Sequence, residues 1–191
     1  MLEYIGEMFD TDAQAVCITT NKFVKKNGAA VMGRGCAKQA MQLMPGIEFI
    51  VGHVNRCLSR NTALLTRSEP VGTTMLTTPF GGQQDYRVSF HVLMLTVKPD
   101  KVIVGRDKEN IVSWNHDKVV PGYEAPGWMS RSSIPIIRQS LVELISITDK
   151  MGWTRVAVPR AGSGAGELPW PVIRALMLQL LDDRFIVYGY D

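Results

Sequence analysis

The sequence predicts an α/β domain, with a mixed or parallel sheet covered by helices on both faces. Three observations carry this. Short β-branched runs alternate with stripes of helical period along the chain. Several of those runs are apolar almost throughout, as expected for strands covered on both sides. Towards the C-terminus the order strand, helix, strand, helix, strand is a βαβαβ pattern, whose crossovers lay helices against a sheet.

The elements follow in order. Strands are expected at Leu2–Ile5 and at residues 15–19, 73–77, 88–97, 155–158 and 185–188. Helices fit Gly35–Leu43, stopped by Pro45-Gly46, and residues 47–58. A stronger helix has Ser132 or Ser133 as its cap and Pro135 in its first turn. It places Ile137, Leu141, Leu144 and Ile145 at helical spacing and ends before Gly152. The last helix starts near Pro171 and carries Ile173, Leu176, Met177, Leu180 and Leu181 on one face. Residues 99–131 break the pattern with three prolines, three glycines, many charges and two tryptophans, Trp114 and Trp128. They read as a long excursion from the core, and loops of this length are usually functional or mobile. No repeat or linker divides the chain, so 1–191 is expected to form a single domain.

Composition excludes several classes. With 46% hydrophobic residues in 191, the chain is too apolar to be disordered and long enough to bury a core. No apolar run reaches the length of a membrane span, and the acidic start is unlike a secretory signal, so no membrane partner is expected. Cys17, Cys36 and Cys57 are odd in number and form no CxxC pair, which suggests a reducing cytoplasm and neither a disulfide scaffold nor a zinc cage. His53, His91 and His116 are widely spaced and make no metal motif. The net charge of +3 hides an asymmetry. Residues 13–47 hold Lys22, Lys25, Lys26, Arg34 and Lys38 with no acid, whereas residues 1–12 hold four acids and no base. Such a block attracts anions or forms a solvated face.

Two segments carry the chemistry. In "CITTNKFVKKNGAAVMGRGCAKQA" a buried strand ends at Thr20-Asn21, and Gly33-Arg34-Gly35 opens a helix. Ligands of doubly wound sheets bind at the carboxyl ends of strands, and a glycine-rich turn into a helix presents N–H groups to an anion. In "VAVPRAGSGAGELPW" a strand runs into Gly162-Ser163-Gly164-Ala165-Gly166, then a helix. This loop has backbone free enough to wrap a diphosphate, yet it is neither a Walker A loop nor the GxGxxG fingerprint. The plainer reading of both glycine sets is turn geometry. Cys36 reads as a packing residue, and Trp114 and Trp128 each as either a base-stacking platform or part of their own domain's packing.

On these segments the sequence resembles the macrodomains, which bind ADP-ribose. "TNKFVKKNGAAVMGRGCAKQA" is similar to their first ligand loop, "PRAGSGAGELPW" to their phosphate loop, and "YIGEMFDTDAQAVCITTN" to the family's start. "MGRGCA" is closest to the branch of terminal ADP-ribose glycohydrolases and of antitoxins that strip ADP-ribose from DNA. That branch has a lysine after a central strand, matched here by "LMLTVKPDK" with Lys98. "GWMSRSSIPIIRQSLVEL" is similar to the segment that follows.

The resemblance implies a three-layer α/β/α fold with a mixed central sheet. It implies Glu7 near the adenine amine, where the family usually has Asp, with Met8 and Thr20 as further ligand contacts. Asn21 and Gly33-Arg34-Gly35 would flank the distal ribose, and Gly162, Ser163, Gly164, Ala165 and Gly166 would hold the diphosphate. Lys98 and Asn21 are the catalytic candidates. The protein-directed enzymes of this branch use an aspartate where this chain has Gly166, followed by Glu167, a departure that favours DNA as substrate. No metal or other cofactor is implied. The expected partners are ADP-ribose or an ADP-ribosylated macromolecule and single-stranded DNA, met by a monomer in the cytoplasm of a bacterial or phage-infected cell.

The bond at stake is at C1″ of the distal ribose. A lysine attacks carbon only as the neutral amine, which burial or nearby positive charge favours. A charged Lys98 would instead stabilise the leaving group. A surface lysine closing a strand end is the plainer reading. Two other functions use the same loops without Lys98: a reader of ADP-ribose or a related nucleotide, and a phosphatase acting on ADP-ribose 1″-phosphate.

Overall fold

The computed structural model describes residues 1–65, 67–68, 74–77, 83–86 and 90–189. A six-stranded sheet runs through its centre in the order β1-β11-β10-β2-β7-β3. These strands are β1 (Leu2–Ile5), β2 (Ala15–Asn21), β3 (Thr62–Leu64), β7 (His91–Lys98), β10 (Val156–Pro159) and β11 (Phe185–Gly189). All neighbours pair in parallel except β3, which runs antiparallel to β7 at the edge, so the sheet is mixed. A separate three-stranded sheet joins β4 (Arg67–Ser68), β5 (Thr74–Thr77) and β6 (Gln83–Tyr86). The predicted strand at 73–77 corresponds to β5. That at 88–97 corresponds to β7, which starts at His91. Thr73, Val88 and Ser89 lie outside the described residues.

Alternation along the central strands builds two cores. Val16, Ile18, Val92 and Met94 face one side, where α1 (Gly35–Leu43) and α2 (Ile47–Cys57) bury Ala37, Ala40, Ile50 and Val51. Ala15, Cys17, Leu93 and Leu95 face the other, where α3 (Ile134–Met151) and α4 (Trp170–Leu180) bury Ile137, Leu141, Ile173 and Met177. The result is three layers, α/β/α. Period-two alternation within fully apolar strands is how one sheet supplies two cores.

The joints around the carboxyl ends of the strands position the site. α3 has Pro135 in its first turn and ends on left-handed Gly152, as predicted. Ser133 occupies the cap position, but its side chain makes no capping bond. Its backbone N–H instead donates to the Val97 carbonyl at 2.9 Å, and the Ser132 N–H donates to Gly166 at 3.0 Å. The start of α3 is thereby tied both to the end of β7 and to the loop after β10.

Residues 99–131, the excursion from the core, carry secondary structure and a small core of their own. β8 (Lys101–Ile103) pairs with β9 (Glu124–Pro126), and 3-10 turns form at Ser113–Lys118 and Gly127–Met129. A small core of Val104, Ile111, Val119 and Ala125 holds them together. Of the prolines and glycines that broke the pattern in the sequence, Pro121 and Gly122 sit in the turn before β9, Pro126 ends β9 and Gly127 opens the second 3-10 turn. Among the described residues, no helix is long and apolar enough to cross a membrane, and no group of three His, Cys, Asp or Glu side chains is placed to hold a metal.

Candidate functional site

A cavity of about 640 Å³ opens at the carboxyl ends of β2, β7, β10 and β11. This is where a parallel sheet leaves a crevice between diverging loops. Arg34, Lys98, Lys118 and Arg160 line it, and no acidic side chain among the described residues does. The first residues of α1, from Gly35 to Ala37, also line it. The opening N–H groups of a helix lack intrahelical carbonyl partners, and here those of Cys36 and Ala37 lie against the Cys36 thiol.

Lys98 ends β7 and is only 8% exposed. Burial pushes its pKa down to about 8; Arg34 lowers it further, while Glu167 pulls it back up. Its Nζ donates to the Ala165 carbonyl at 3.0 Å and to the Trp128 carbonyl at 3.4 Å. A neutral amine has two N–H groups and one lone pair, whereas an ammonium has three donors. Two carbonyl acceptors thus satisfy the neutral form and leave its lone pair free, but leave the charged form one partner short.

Asn21 ends β2 and is paired with Lys98 across the sheet. Its Nδ2 donates to the Val31 carbonyl at 2.9 Å, and its Oδ1 accepts the Phe23 N–H at 3.1 Å. The amide therefore closes the first ligand loop on itself, leaving one donor and one lone pair to spare. Beside it, burial pushes the Cys36 thiol pKa up, and the thiol packs against Thr19. Burial thus favours the neutral thiol over a thiolate, as in a packing residue.

The second loop folds tightly from Arg160 to Leu168 through bonds between Ser163 and Arg160, Glu167 and Gly164, and Leu168 and Gly162. Its glycines differ in purpose. A Cβ on Gly166 would stand 2.0 Å from Ser132 Oγ and 2.4 Å from the Gly162 carbonyl oxygen, so no side chain fits. A Cβ on Gly164 or Gly33 would meet nothing within 4 Å, and neither residue has a left-handed backbone. The protein does not require those two glycines for its own packing, and both line the cavity. Their bare backbone leaves room for a ligand.

The 99–131 subdomain forms a wall that includes Trp114, Asn115, Lys118 and Trp128. The Arg34 guanidinium stacks over the Trp114 ring at 4.3 Å, and Arg160 over Trp170 at 4.9 Å. Three buried polar atoms at the cavity make no hydrogen bond within the protein: Thr20 Oγ1, Asn115 Nδ2 and Ser132 Oγ. Buried polar groups almost always find partners, so three orphans around one cavity point to a polar ligand.

Solved structures match this architecture along its whole length. The macrodomain of Mycobacterium tuberculosis DarG matches with a TM-score of 0.60 and 19% identity, over 98% of this chain and 99% of that one. The fold is that of a macrodomain. The macrodomain of Thermus aquaticus DarG matches at 0.63 with 15% identity, over 100% of this chain and 97% of that one. Thermosipho africanus DarTG in complex with ADP-ribose matches at 0.62 with 18% identity, over 98% of this chain and 41% of that longer one. No family model and no curated relative matches the sequence.

Within this fold the cavity gathers Thr20, Asn21, Gly33, Arg34, Gly35 and Lys98 with the whole of the 162–166 loop. Glu7 and Met8 stand apart and line none of it. Glu7 is exposed, and Met8 is buried in the core beneath α1 and α2. Met8 lies within the Glu7–Asp10 turn and packs its apolar side chain inward against that core. The sequence offers no ligand signal for the wall residues Asn115 and Lys118, for Arg160 and Trp170, or for Ser132, which it marks only as a helix cap. For Trp114 and Trp128, the stacking reading was the available signal.

Proposed function

We propose that the cavity binds ADP-ribose and that Lys98 removes it from a macromolecule, with DNA the favoured substrate. The observation that carries this reading is a cavity with four cationic and, among the described residues, no acidic side chains, two bare-backbone cradles and one buried amine. The 162–166 loop takes the diphosphate, whose charge matches Arg34 and Arg160. Asn21 and Gly33-Arg34-Gly35 hold the distal ribose. The neutral Lys98 amine adds to C1″ and the bond to the macromolecule breaks, the leaving group departing with the proton the amine gives up. Water then adds at C1″ and frees the amine. Supporting DNA as substrate, Gly166 stands where the protein-directed enzymes of this branch have an aspartate, and Lys22, Lys25 and Lys26 lie in the segment between Asn21 and Gly33.

One observation favours a reader with no catalysis: both carbonyl partners of Lys98 come from the protein itself, which also suits a purely structural lysine. Calorimetry with ADP-ribose and a turnover assay on the same preparation distinguish the two. Binding with Lys98-dependent turnover supports the enzyme. Binding without turnover supports the reader, and no binding rejects both.

A further inference from the structure

Glu167 directly follows the loop proposed for the diphosphate, and its backbone is left-handed, with φ +56°. That conformation is unfavourable for a residue with a long side chain and persists only where contacts hold it. The contacts of its side chain lie across the chain. The carboxylate accepts the Ser113 N–H at 2.9 and 3.0 Å, accepts the Ser113 hydroxyl, and pairs with Arg131 Nε at 3.2 Å. Ser113 opens the 3-10 turn that carries Trp114, Asn115 and Lys118 into the cavity wall. On the other side, the Glu167 N–H donates to Gly164, and the neighbouring Ala165 carbonyl holds Lys98.

We propose that Glu167 is a positioning residue: its carboxylate latches the Ser113–Lys118 turn, and with it Trp114 and Asn115, onto the phosphate loop. The relevance to turnover rests on the function proposed above; the latch itself does not. The latch fixes the loop against the wall, because it joins the residue after Gly166 to the residue before Trp114, and both of those line the cavity. It also has an electrostatic consequence. Glu167 is the negative group acting on Lys98 and opposes Arg34, so the side chain that fixes the wall also biases the amine toward its charged form.

Two variants separate the latch from the charge. Glu167→Gln keeps an oxygen to accept the Ser113 N–H and loses the charge; Glu167→Ala loses both. In hydrogen–deuterium exchange without ligand, Glu167→Ala is expected to speed exchange at residues 113–118 by about tenfold or more, the scale of losing a hydrogen bond to a charged group. Glu167→Gln is expected to speed it by less than Glu167→Ala, with β2 and β7 unchanged in both. ADP-ribose affinity should fall about tenfold in Glu167→Ala and less in Glu167→Gln. The pH midpoint of turnover should move down in both. Unchanged exchange at 113–118 in Glu167→Ala, or an equal rise throughout the protein, overturns the latch. If the wild type neither binds nor turns over ADP-ribose, the functional reading fails, and the exchange result still decides the latch.

Discussion

Asn21 and Lys98 are partners across β2 and β7 at the point where the register between the two strands shifts. Thr20 pairs with Thr96, and the next pair is Asn21 with Lys98. The extra residue on β7 is Val97, which stays in the core beneath α3. An irregularity of this kind re-aims side chains at a strand end, and such irregularities concentrate beside active sites. Here it ends the buried part of the sheet with an amide and an amine side by side at the cavity.

The protonation of Lys98 gives turnover a pH dependence. With the pKa near 8, about a tenth of the amines are neutral at pH 7. A nucleophilic Lys98 therefore makes the rate rise about tenfold per pH unit below 8 and level off above about 9. A flat profile between pH 6 and 9 contradicts the nucleophile role and favours a charged Lys98 at the leaving group.

The same burial has a cost in stability. Folding shifts the amine toward its neutral form, with a pKa of about 8, whereas the unfolded chain titrates near the ordinary lysine value of 10.5. The cost is fully present below pH 8 and is relieved as pH rises from 8 towards 10.5, where the unfolded state binds more protons than the native state. Lys98→Met is therefore expected to melt no lower than wild type at pH 7 while losing turnover. The stability difference should move in favour of wild type between pH 8 and 10. Thermal melts at both ends of that range check it.

The two loop glycines are expected to fail differently. Gly166→Ala forces a Cβ into Ser132 and the Gly162 carbonyl and should cost about 2 kcal/mol or more in denaturant unfolding. Gly164→Val meets open space, so its stability should stay within about 0.5 kcal/mol of wild type, while ADP-ribose binding falls more than tenfold.

Thr20→Val removes a buried hydroxyl that has no partner within the protein. The unliganded protein should be stabilised by up to about 1 kcal/mol, because an unsatisfied buried polar group costs free energy. ADP-ribose affinity should fall several-fold in calorimetry. A drop in stability with unchanged affinity would place the hydroxyl in the fold and not at the ligand.

What the sequence revealed and what it hid follow from how far apart the interacting residues lie. The two glycine loops were legible because a strand end, a bare turn and a helix start are contiguous in the chain. Lys98 was legible by its place after an apolar run and by family resemblance. The wall was not legible: Glu167 reaches Ser113 across 54 residues, and only the folded chain brings Trp114 beside Arg34. β3 escaped notice as three residues at the sheet edge, too short for a period to register. Ser133 sits at the cap position, but tertiary contact with Val97 supplies the anchor that local capping chemistry led one to expect from its side chain.

The most direct measurement is turnover of an ADP-ribosylated single-stranded DNA oligonucleotide by wild type and Lys98→Met, with ADP-ribose binding measured in both. The expected result is release of free ADP-ribose and intact oligonucleotide by the wild type, with at least a hundredfold loss in Lys98→Met and binding retained. Equal rates in the two proteins, or binding with no release by the wild type, would contradict the role given to Lys98.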